Sequence, residues 1–214
     1  MKTQLKKYIP YISNSRFMAS VGVGFLLLIA GIIINFYAGT YAAARASNSV
    51  SDIILDNIRV YDVDEIFVYG PLFLWIFVAL LCLKEPKRFP FVLKNIALFV
   101  FIRSVFITMT HIGPFPDHLI ITNTTRLITD FTFGSDLFFS GHTGLPFLMA
   151  LVFGKNIFLR ILFFVTAVFF GAIVLMAHLH YTIDVMSAFF ITYTIYHIAK
   201  HLFKSDEKIF NDGL

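Results

Sequence analysis

Six long apolar segments constrain the fold of this chain more than any other feature of its sequence. Each is close to the roughly 20 residues that a helix needs to cross the hydrocarbon core of a membrane. Hydrophobic residues make up 58% of the chain and charged residues 14%, against about 45–50% and about 25% in soluble domains. We therefore predict an all-α, polytopic membrane protein: a six-transmembrane-helix bundle that forms a single membrane domain, residues 1–214. The predicted spans are about 17–44, 66–83, 90–110, 138–154, 157–177 and 183–203.

The distribution of the cations predicts how the spans are oriented. If the N-terminus is cytoplasmic, 13 of the 17 Lys and Arg residues fall on the cytoplasmic side, three fall outside, and Arg103 lies within the third span. The positive-inside rule then places both termini in the cytoplasm. The first span exceeds the about 7–15 apolar residues of a signal peptide, so we expect it to be retained as an anchor. Because the cations are spread between the spans rather than gathered on one element, no nucleic-acid partner is expected.

Three groups of ionisable residues are predicted on the outer side of the membrane. Arg103 lies in the outer half of the third span, residues 136–143 (DLFFSGHT) lie at the outer entrance of the fourth, and residues 178–184 (HLHYTID) form the turn between the fifth and sixth. Ionisable side chains at membrane depth are costly, and each is a functional candidate for that reason. The three groups share one side although the orientation was assigned from other residues, which indicates a single site.

The residue types in the last two groups suit phosphoryl chemistry. Ser140 and Gly141 precede a helix, whose unpaired backbone N–H groups favour an anion. His142 falls in the first turn and faces the same anion. His180 and Asp184 are four residues apart and share a face if that turn is helical. A carboxylate that accepts from one ring nitrogen leaves the other free to attack, so His180 is the candidate nucleophile, Asp184 orients it, and His142 serves as the acid.

The two histidine motifs resemble those of a known family. SGHT and HYTIDV, which begin at Ser140 and His180, resemble the third and fourth motifs of the sphingomyelin synthase family, a branch of the type 2 phosphatidic acid phosphatase superfamily. The resemblance implies a six-span core with a His–His–Asp triad formed by His142, His180 and Asp184. It implies that His180 becomes the phosphohistidine and that His142 protonates the leaving alcohol. Neither a metal nor another cofactor is expected.

Weaker matches extend the resemblance over roughly residues 50–200. Arg103 resembles the Arg of the family's second motif, and residues 52–56 (DIILD) resemble the D-x-x-x-D of its first. The wider superfamily carries a Lys seven residues before the Arg and an Arg six residues before the nucleophilic His, but this chain has Ile96 and Val174 there. The expected substrate-binding residues are Arg103, Ser140, Gly141, Asp136, Tyr181, Asp52 and Asp56.

The two missing cations bear on the substrate. A phosphate monoester carries close to two negative charges at neutral pH, whereas a phosphodiester carries one, which Arg103 and a helix N-terminus can match. We therefore predict a sphingomyelin synthase-like head-group phosphotransferase or phospholipase C-like enzyme, with a lipid phosphomonoester phosphatase as the alternative. Its partners would be a phospholipid donor, a lipid alcohol or water as acceptor, and the membrane lipids. Asp52 and Asp56 are expected to face a choline or ethanolamine cation.

Two functions of other classes compete with this one. A metal-dependent membrane oxidase or hydrolase would draw its ligands from His142, His178, His180 and Asp184, but the outer segments lack the H-x-x-x-H or H-x-x-H-H clusters that such enzymes use. A transporter or channel with Arg103 and Asp184 along its pathway predicts spans interrupted at mid-membrane. Polar groups gathered at one interface favour the enzyme. The small size favours a bacterial inner membrane with the site on the non-cytoplasmic face, and the sequence leaves a homo-oligomer open.

Overall fold

The computed structural model describes residues 2–119 and 137–214, and all regular secondary structure in these two stretches is helical. The all-α prediction is therefore confirmed for this part of the chain. Two short 3-10 turns, Leu55–Asn57 and Pro86–Arg88, accompany the α-helices. The helices are α1 (Lys2–Ile12), α2 (Ser15–Ala44), α3 (Asp64–Lys84), α4 (Phe89–Met109), α5 (Gly141–Val152), α6 (Ile157–Met176), α7 (Thr182–Leu202) and α8 (Lys204–Asp212).

Within residues 2–119 and 137–214, four helical stretches are long and apolar enough to cross a membrane. They are Ser15–Ala44, Asp64–Lys84, Pro86–Met109 and Ile157–Met176, and they coincide within a few residues with the first, second, third and fifth predicted spans. Large apolar side chains on their outer faces are exposed, such as Leu26, Phe73 and Phe158. A surface of this kind requires a lipid environment, which supports the prediction of a polytopic membrane protein.

Helices α5 and α7 depart from the other spans. α5 has only 12 residues and is about 18 Å long at 1.5 Å per residue, less than the about 30 Å of a hydrocarbon core. It is shorter than its apolar segment because Ser140 caps the helix at Gly141. α7 has 21 residues, enough to cross, but its several Thr, Tyr and His residues make it less apolar than the four spans. The count of six spans therefore stays a prediction.

Small residues allow α2 to lie close against α4. Gly24, Gly31 and Ala38 follow one another at intervals of seven residues and are all buried. A Cβ on Gly24 would lie 3.0 Å from the Cβ of Leu93, and one on Gly31 would lie 3.5 Å from a Val100 methyl group. Helices in membranes approach one another through such small residues, because lipid supplies no hydrophobic driving force for their association. This contact fixes α4, which carries one of the candidate site residues.

Both terminal helices are fixed at one end of the bundle, beside the turn from α3 to α4. The Lys7 ammonium of α1 donates to the Lys84 carbonyl (2.9 Å), and the Lys87 ammonium donates to the carbonyl of Asn211 in α8 (3.0 Å). Both termini therefore lie at the same end. The assignment of that end to the cytoplasm stays a prediction.

A buried ion pair joins α8 to the rest of this end. Lys94 of α4 lies 2.6 Å from the Asp206 carboxylate of α8, and both side chains are buried. The Ser20 hydroxyl accepts from Lys94 (2.7 Å) and donates to Asp206 (2.6 Å). Charges out of water are tolerated only when their hydrogen-bonding groups are satisfied, and this hydroxyl supplies a partner for both. The ion pair therefore fixes α8 against α2 and α4.

Cysteine labelling tests the predicted orientation. Ser205 in α8 and Asn57 in the segment between α2 and α3 are both exposed, whereas the only native cysteine, Cys82, is buried. In intact cells, a membrane-impermeant maleimide is expected to label Asn57→Cys and not Ser205→Cys. Both variants are expected to react once the membrane is permeabilised. The reverse pattern in intact cells would overturn the orientation derived from the cations.

At the opposite end, extended segments pack across the helix termini. The Ser47 backbone donates to the His111 carbonyl (2.7 Å), and the Leu119 backbone donates to the Ala177 carbonyl (2.9 Å). A Cβ on Gly113 would collide with the carbonyl oxygen of Ser47, so only glycine permits this approach. The segments after α2 and after α4 are thus joined to each other and to the α6–α7 turn, where the candidate histidines lie.

Candidate active site

The first turn of α5 carries Ser140, Gly141 and His142. The Ser140 side chain caps the helix and accepts from the backbone N–H of Thr143 (3.4 Å). Because the helix begins at Gly141, its first N–H groups have no carbonyl partner within the helix and form the anion-favouring terminus that the sequence predicted. His142 then lies in the first helical turn.

Arg103 of α4 lies alongside this terminus. A Cβ added to Gly141 would sit 3.5 Å from Nε and 3.8 Å from Cζ of Arg103, so the guanidinium packs directly against the glycine. The Arg103 Nε donates to the Phe139 carbonyl (2.8 Å), and its Nη1 lies 3.4 Å from the Asn35 side-chain oxygen. The side chain is only 8% exposed. A fixed positive charge therefore reinforces the positive end of the α5 dipole.

The turn before α7 positions His180 and Asp184. This turn is not helical at His180, because α7 begins at Thr182. The Asp184 carboxylate instead turns back, so that one oxygen accepts from the Tyr181 backbone N–H (2.9 Å) and lies 3.5 Å from Nδ1 of His180. The carboxylate thus faces Nδ1, and Nε2 is the nitrogen left for chemistry. Both side chains are buried.

A main-chain hydrogen bond brings the two motifs together. The backbone N–H of Ser140 donates to the backbone carbonyl of Asp184 (3.1 Å), which joins the start of α5 to the first turn of α7. His142 consequently lies within electrostatic range of both His180 and Arg103. The four side chains that the sequence assigned to one site are near one another, although they come from three separate parts of the chain.

The His142 ring packs against α3 as well. It stacks on Phe67 with ring centroids 4.2 Å apart, and its Nε2 lies 3.3 Å from the Phe67 carbonyl oxygen. A carbonyl can only accept, so the proton of this hydrogen bond is on Nε2. Phe67 was missed in the sequence because nothing distinguishes it from the other 26 phenylalanines. Asn35 was also missed, although an amide in an apolar span is a signal of the kind used for Arg103.

Asp52, predicted to contact a head group, has its carboxylate occupied by protein donors. It accepts from the Thr182 hydroxyl (2.6 Å) and backbone N–H (2.7 Å), and from the backbones of Ile54 (2.9 Å) and Leu55 (3.1 Å). Burial by itself would raise the pKa of the Asp52 carboxyl, but these hydrogen bonds outweigh it and hold the pKa below its ordinary value. Asp52 therefore fastens the segment between α2 and α3 to the N-terminus of α7. Asp56 is exposed and accepts from the Asp52 backbone (2.8 Å).

Tyr181 and His178 flank His180, the candidate nucleophile, and are both buried. The Tyr181 hydroxyl donates to the Gly113 carbonyl (2.8 Å), and Nδ1 of His178 lies 2.7 Å from the Asp117 carbonyl. His178 has a φ of 54°, in the left-handed region that a non-glycine residue seldom adopts. These contacts attach the segment after α4 to the α6–α7 turn. Asp136, also predicted to bind substrate, lies outside the described residues.

Ile96 and Val174, which stand where the wider superfamily has a Lys and an Arg, both have apolar surroundings. Ile96 packs in the main core with Phe99, and Val174 packs with Phe67 and Val185. Neither position adds positive charge near the histidines. Among the described residues, no group of three or more His, Cys, Asp or Glu side chains is arranged to hold a metal ion.

Thr182→Val tests the link between α7 and the segment that joins α2 to α3. The change removes the hydroxyl that donates to Asp52 and should destabilise the protein by about 1.5–3 kcal/mol, as is typical for hydrogen bonds to charged groups. Thr182→Ser keeps the donor and should stay near wild type. The midpoint of thermal unfolding in detergent measures both, and equal midpoints for the Val and Ser variants would contradict the link.

The pH dependence of this stabilisation has a definite sign. Since hydrogen bonds lower the pKa of Asp52 in the folded protein, their contribution is complete above the ordinary value of 3.8 and is lost as the pH falls through the lowered value. The difference between wild type and Thr182→Val should therefore shrink only in strong acid. A difference that disappears at neutral pH would require another titrating group.

A protein-family model matches the part of the chain that contains the two histidine motifs. Residues 134–202 match the family model described as PAP2 superfamily C-terminal. The matched segment contains α5, α6 and α7, and with them His142, His180 and Asp184. Searches of curated proteins and of solved structures found no match. The match covers about a third of the chain, and this part is similar to the PAP2 superfamily, whose members are phosphatases and phosphotransferases.

Proposed function

We propose that this protein transfers or hydrolyses phospholipid head groups through a phosphohistidine, as sphingomyelin synthase-like enzymes do. One observation carries the proposal: His142, the His180–Asp184 pair and Arg103 gather at the N-terminus of α5. The combination offers a nucleophile, a proton donor and a positive site for phosphate. These are the groups that a displacement at phosphorus needs.

In the first step, Nε2 of His180 attacks the phosphorus of a phosphodiester. The P–N bond forms as the bond from phosphorus to the diacylglycerol oxygen breaks, and that oxygen takes a proton from His142. Diacylglycerol leaves, and the head-group phosphate remains on His180. Asp184, 3.5 Å from Nδ1, stabilises the charge that develops on the ring during attack.

In the second step, a lipid alcohol or water attacks the phosphorus. The acceptor oxygen forms a bond to phosphorus, the P–N bond breaks, and the acceptor proton passes to His142. Both histidines return to their starting states. With an alcohol the product is a new phosphodiester. With water the product is the phosphate monoester of the head group. The shared intermediate accounts for both transferase and hydrolase activity.

The charge of the site favours a diester. One fixed guanidinium beside a helix N-terminus matches the single charge of a phosphodiester. A monoester carries close to two charges, and its removal from water needs further cations. The two positions where the wider superfamily has them are Ile96 and Val174, both packed in apolar clusters. The location proposed for the reaction is the outer face of a bacterial inner membrane, where phospholipid head groups are within reach.

A substrate panel tests the proposal. Purified protein in mixed micelles is expected to release diacylglycerol from phosphatidylcholine or phosphatidylethanolamine faster than it releases inorganic phosphate from phosphatidic acid. Addition of ceramide or another lipid alcohol should convert part of the soluble head-group product into a new phospholipid. His180→Ala protein, assayed in parallel, measures the background. Faster release of inorganic phosphate from phosphatidic acid would favour the lipid phosphomonoesterase instead.

A further inference from the structure

An apolar groove lies between α5 and α6, at the end of these helices remote from the histidines. Its volume is about 370 Å³, within the range of about 300–1,000 Å³ typical of small-molecule sites. Its walls include Phe147 and Leu151 of α5 and Ile161 and Phe164 of α6. The rings of Phe147 and Phe164 pack edge to face, with their centroids 6.2 Å apart. The groove is lined almost entirely by apolar atoms and is open on one side.

In the α5–α6 turn, the residue that lines the groove is a glycine. α5 ends at Val152, and Gly154 follows with no side chain. A Cβ on Gly154 would lie 2.9 Å from the Leu151 carbonyl, so the turn geometry itself favours glycine there. The neighbouring Ile161 is exposed, as expected of a residue that faces lipid. An acyl chain is the apolar partner that a membrane supplies to such a surface.

The rim of the groove is positively charged. Arg160 is exposed and lines the groove, and its guanidinium makes no ion pair or hydrogen bond with any residue in 7–119 or 137–214. Lys155 in the adjoining turn is exposed as well, and residues 153–164 contain no Asp or Glu. This end is the one that the cation distribution predicts to be cytoplasmic. Apolar walls below an uncompensated cation match an acyl chain attached to an anionic head group.

We propose that this groove binds an anionic phospholipid, with an acyl chain along Phe147 and Phe164 and the phosphate at Arg160. Basic pockets between transmembrane helices recognise anionic head groups in this way, and the long Arg side chain reaches the interface while its stem stays on apolar surface. The site is separate from the histidines and does not depend on the proposed reaction. The lipid acts there as a bound structural partner of α5, the helix that carries His142.

Native mass spectrometry of the purified full-length protein tests this proposal. The protein is equilibrated with mixed micelles that contain equal amounts of phosphatidylglycerol and phosphatidylcholine, and the retained lipid is counted. Wild type is expected to retain phosphatidylglycerol preferentially. Arg160→Gln should lower that retention about fivefold, the effect of one interfacial cation. Ile161→Trp, which fills the groove from an exposed position, should lower retention of both lipids.

Two matched variants control for charge and bulk. Lys208→Gln removes a cation from an exposed position on α8 at the same end, and Val165→Trp adds a ring at an exposed position of α6 that does not line the groove. Both should retain phosphatidylglycerol as wild type does. Phosphatidylglycerol should also raise the unfolding midpoint of wild type and of these controls, but not of Ile161→Trp, because a ligand that binds only the folded state stabilises it.

Three results would overturn the proposal. They are equal retention of the two lipids by wild type, retention by Arg160→Gln equal to that of Lys208→Gln, and retention by Ile161→Trp equal to that of Val165→Trp. None of these measurements involves turnover. The lipid site can therefore fail while the proposed activity stands, and the activity can fail while the lipid site stands.

Discussion

His180→Ala is expected to abolish turnover and to remove the covalent intermediate. With phospholipid labelled in its head-group phosphate, wild-type protein quenched during turnover should carry label as a phosphoramidate, which is stable to base and labile to acid. Alanine has no ring nitrogen, so no P–N bond forms and neither step proceeds. The label retained by denatured protein measures the covalent intermediate, and the release of diacylglycerol measures turnover.

His197→Ala is the matched control for this variant. His197 lies on α7 near the end of the helix that is remote from His180, and it is exposed. Its Nδ1 lies 2.9 Å from the Tyr193 carbonyl oxygen. Its loss should leave labelling and turnover unchanged. Retention of base-stable label by His180→Ala would exclude His180 as the nucleophile, as would turnover equal to that of His197→Ala.

His142→Ala is expected to reduce turnover of natural phospholipids by about 10²–10⁴-fold, the usual contribution of general acid catalysis. Diacylglycerol is a poor leaving group, since its alkoxide is strongly basic and needs a proton as the bond to phosphorus breaks. The same variant should lose far less with a nitrophenyl phosphodiester, because nitrophenolate leaves without protonation. Rates for the two substrates, each compared with wild type, give the measurement.

The contrast between substrates separates the acid from a merely structural residue. His142 stacks on Phe67, so its removal also leaves space beside α3. A structural loss would lower both rates by the same factor, whereas a lost proton donor lowers only the rate with the natural lipid. Equal losses with the two substrates would contradict the role of His142 as the acid.

The sequence predicted the helical elements that length and hydropathy control. Segments near 17–44 and 157–177 are apolar throughout, and nothing but a helix satisfies such a chain in lipid. Hydropathy alone started the fourth span at residue 138, but the helix begins at Gly141, close to where the Ser140-Gly141 motif placed it, because this boundary depends on the Ser140 cap. The amphipathic α8 was missed for the same reason, since its position follows from the buried pairing of Asp206 with Lys94.

In the candidate site, too, local motifs could be predicted from the sequence, whereas tertiary contacts could not. His142 and His180 could be found because each belongs to a local motif whose spacing has a chemical meaning. Phe67 and Thr182 could not, because their roles arise from contacts with residues 75 and 130 positions away. Asp52 illustrates the limit: its charge was evident in the sequence, but the hydrogen bonds that occupy its carboxylate come from the start of α7, which only the folded chain reveals.

The main-chain hydrogen bond from Ser140 to Asp184 joins the start of α5 to the first turn of α7. The helices α5, α6 and α7 thus form one closed unit that contains all three residues of the candidate triad. Since neither atom belongs to a side chain, this closure tolerates most substitutions at both positions. The groups that approach the triad from other helices, Arg103 and Phe67, lie outside the segment that matches the family model. In the proposed mechanism, the reacting side chains are therefore encoded in one stretch of the sequence, and the groups that surround them are encoded in another. We expect mutations in the α2–α4 part of the protein to change the lipid preference while the candidate triad stays intact.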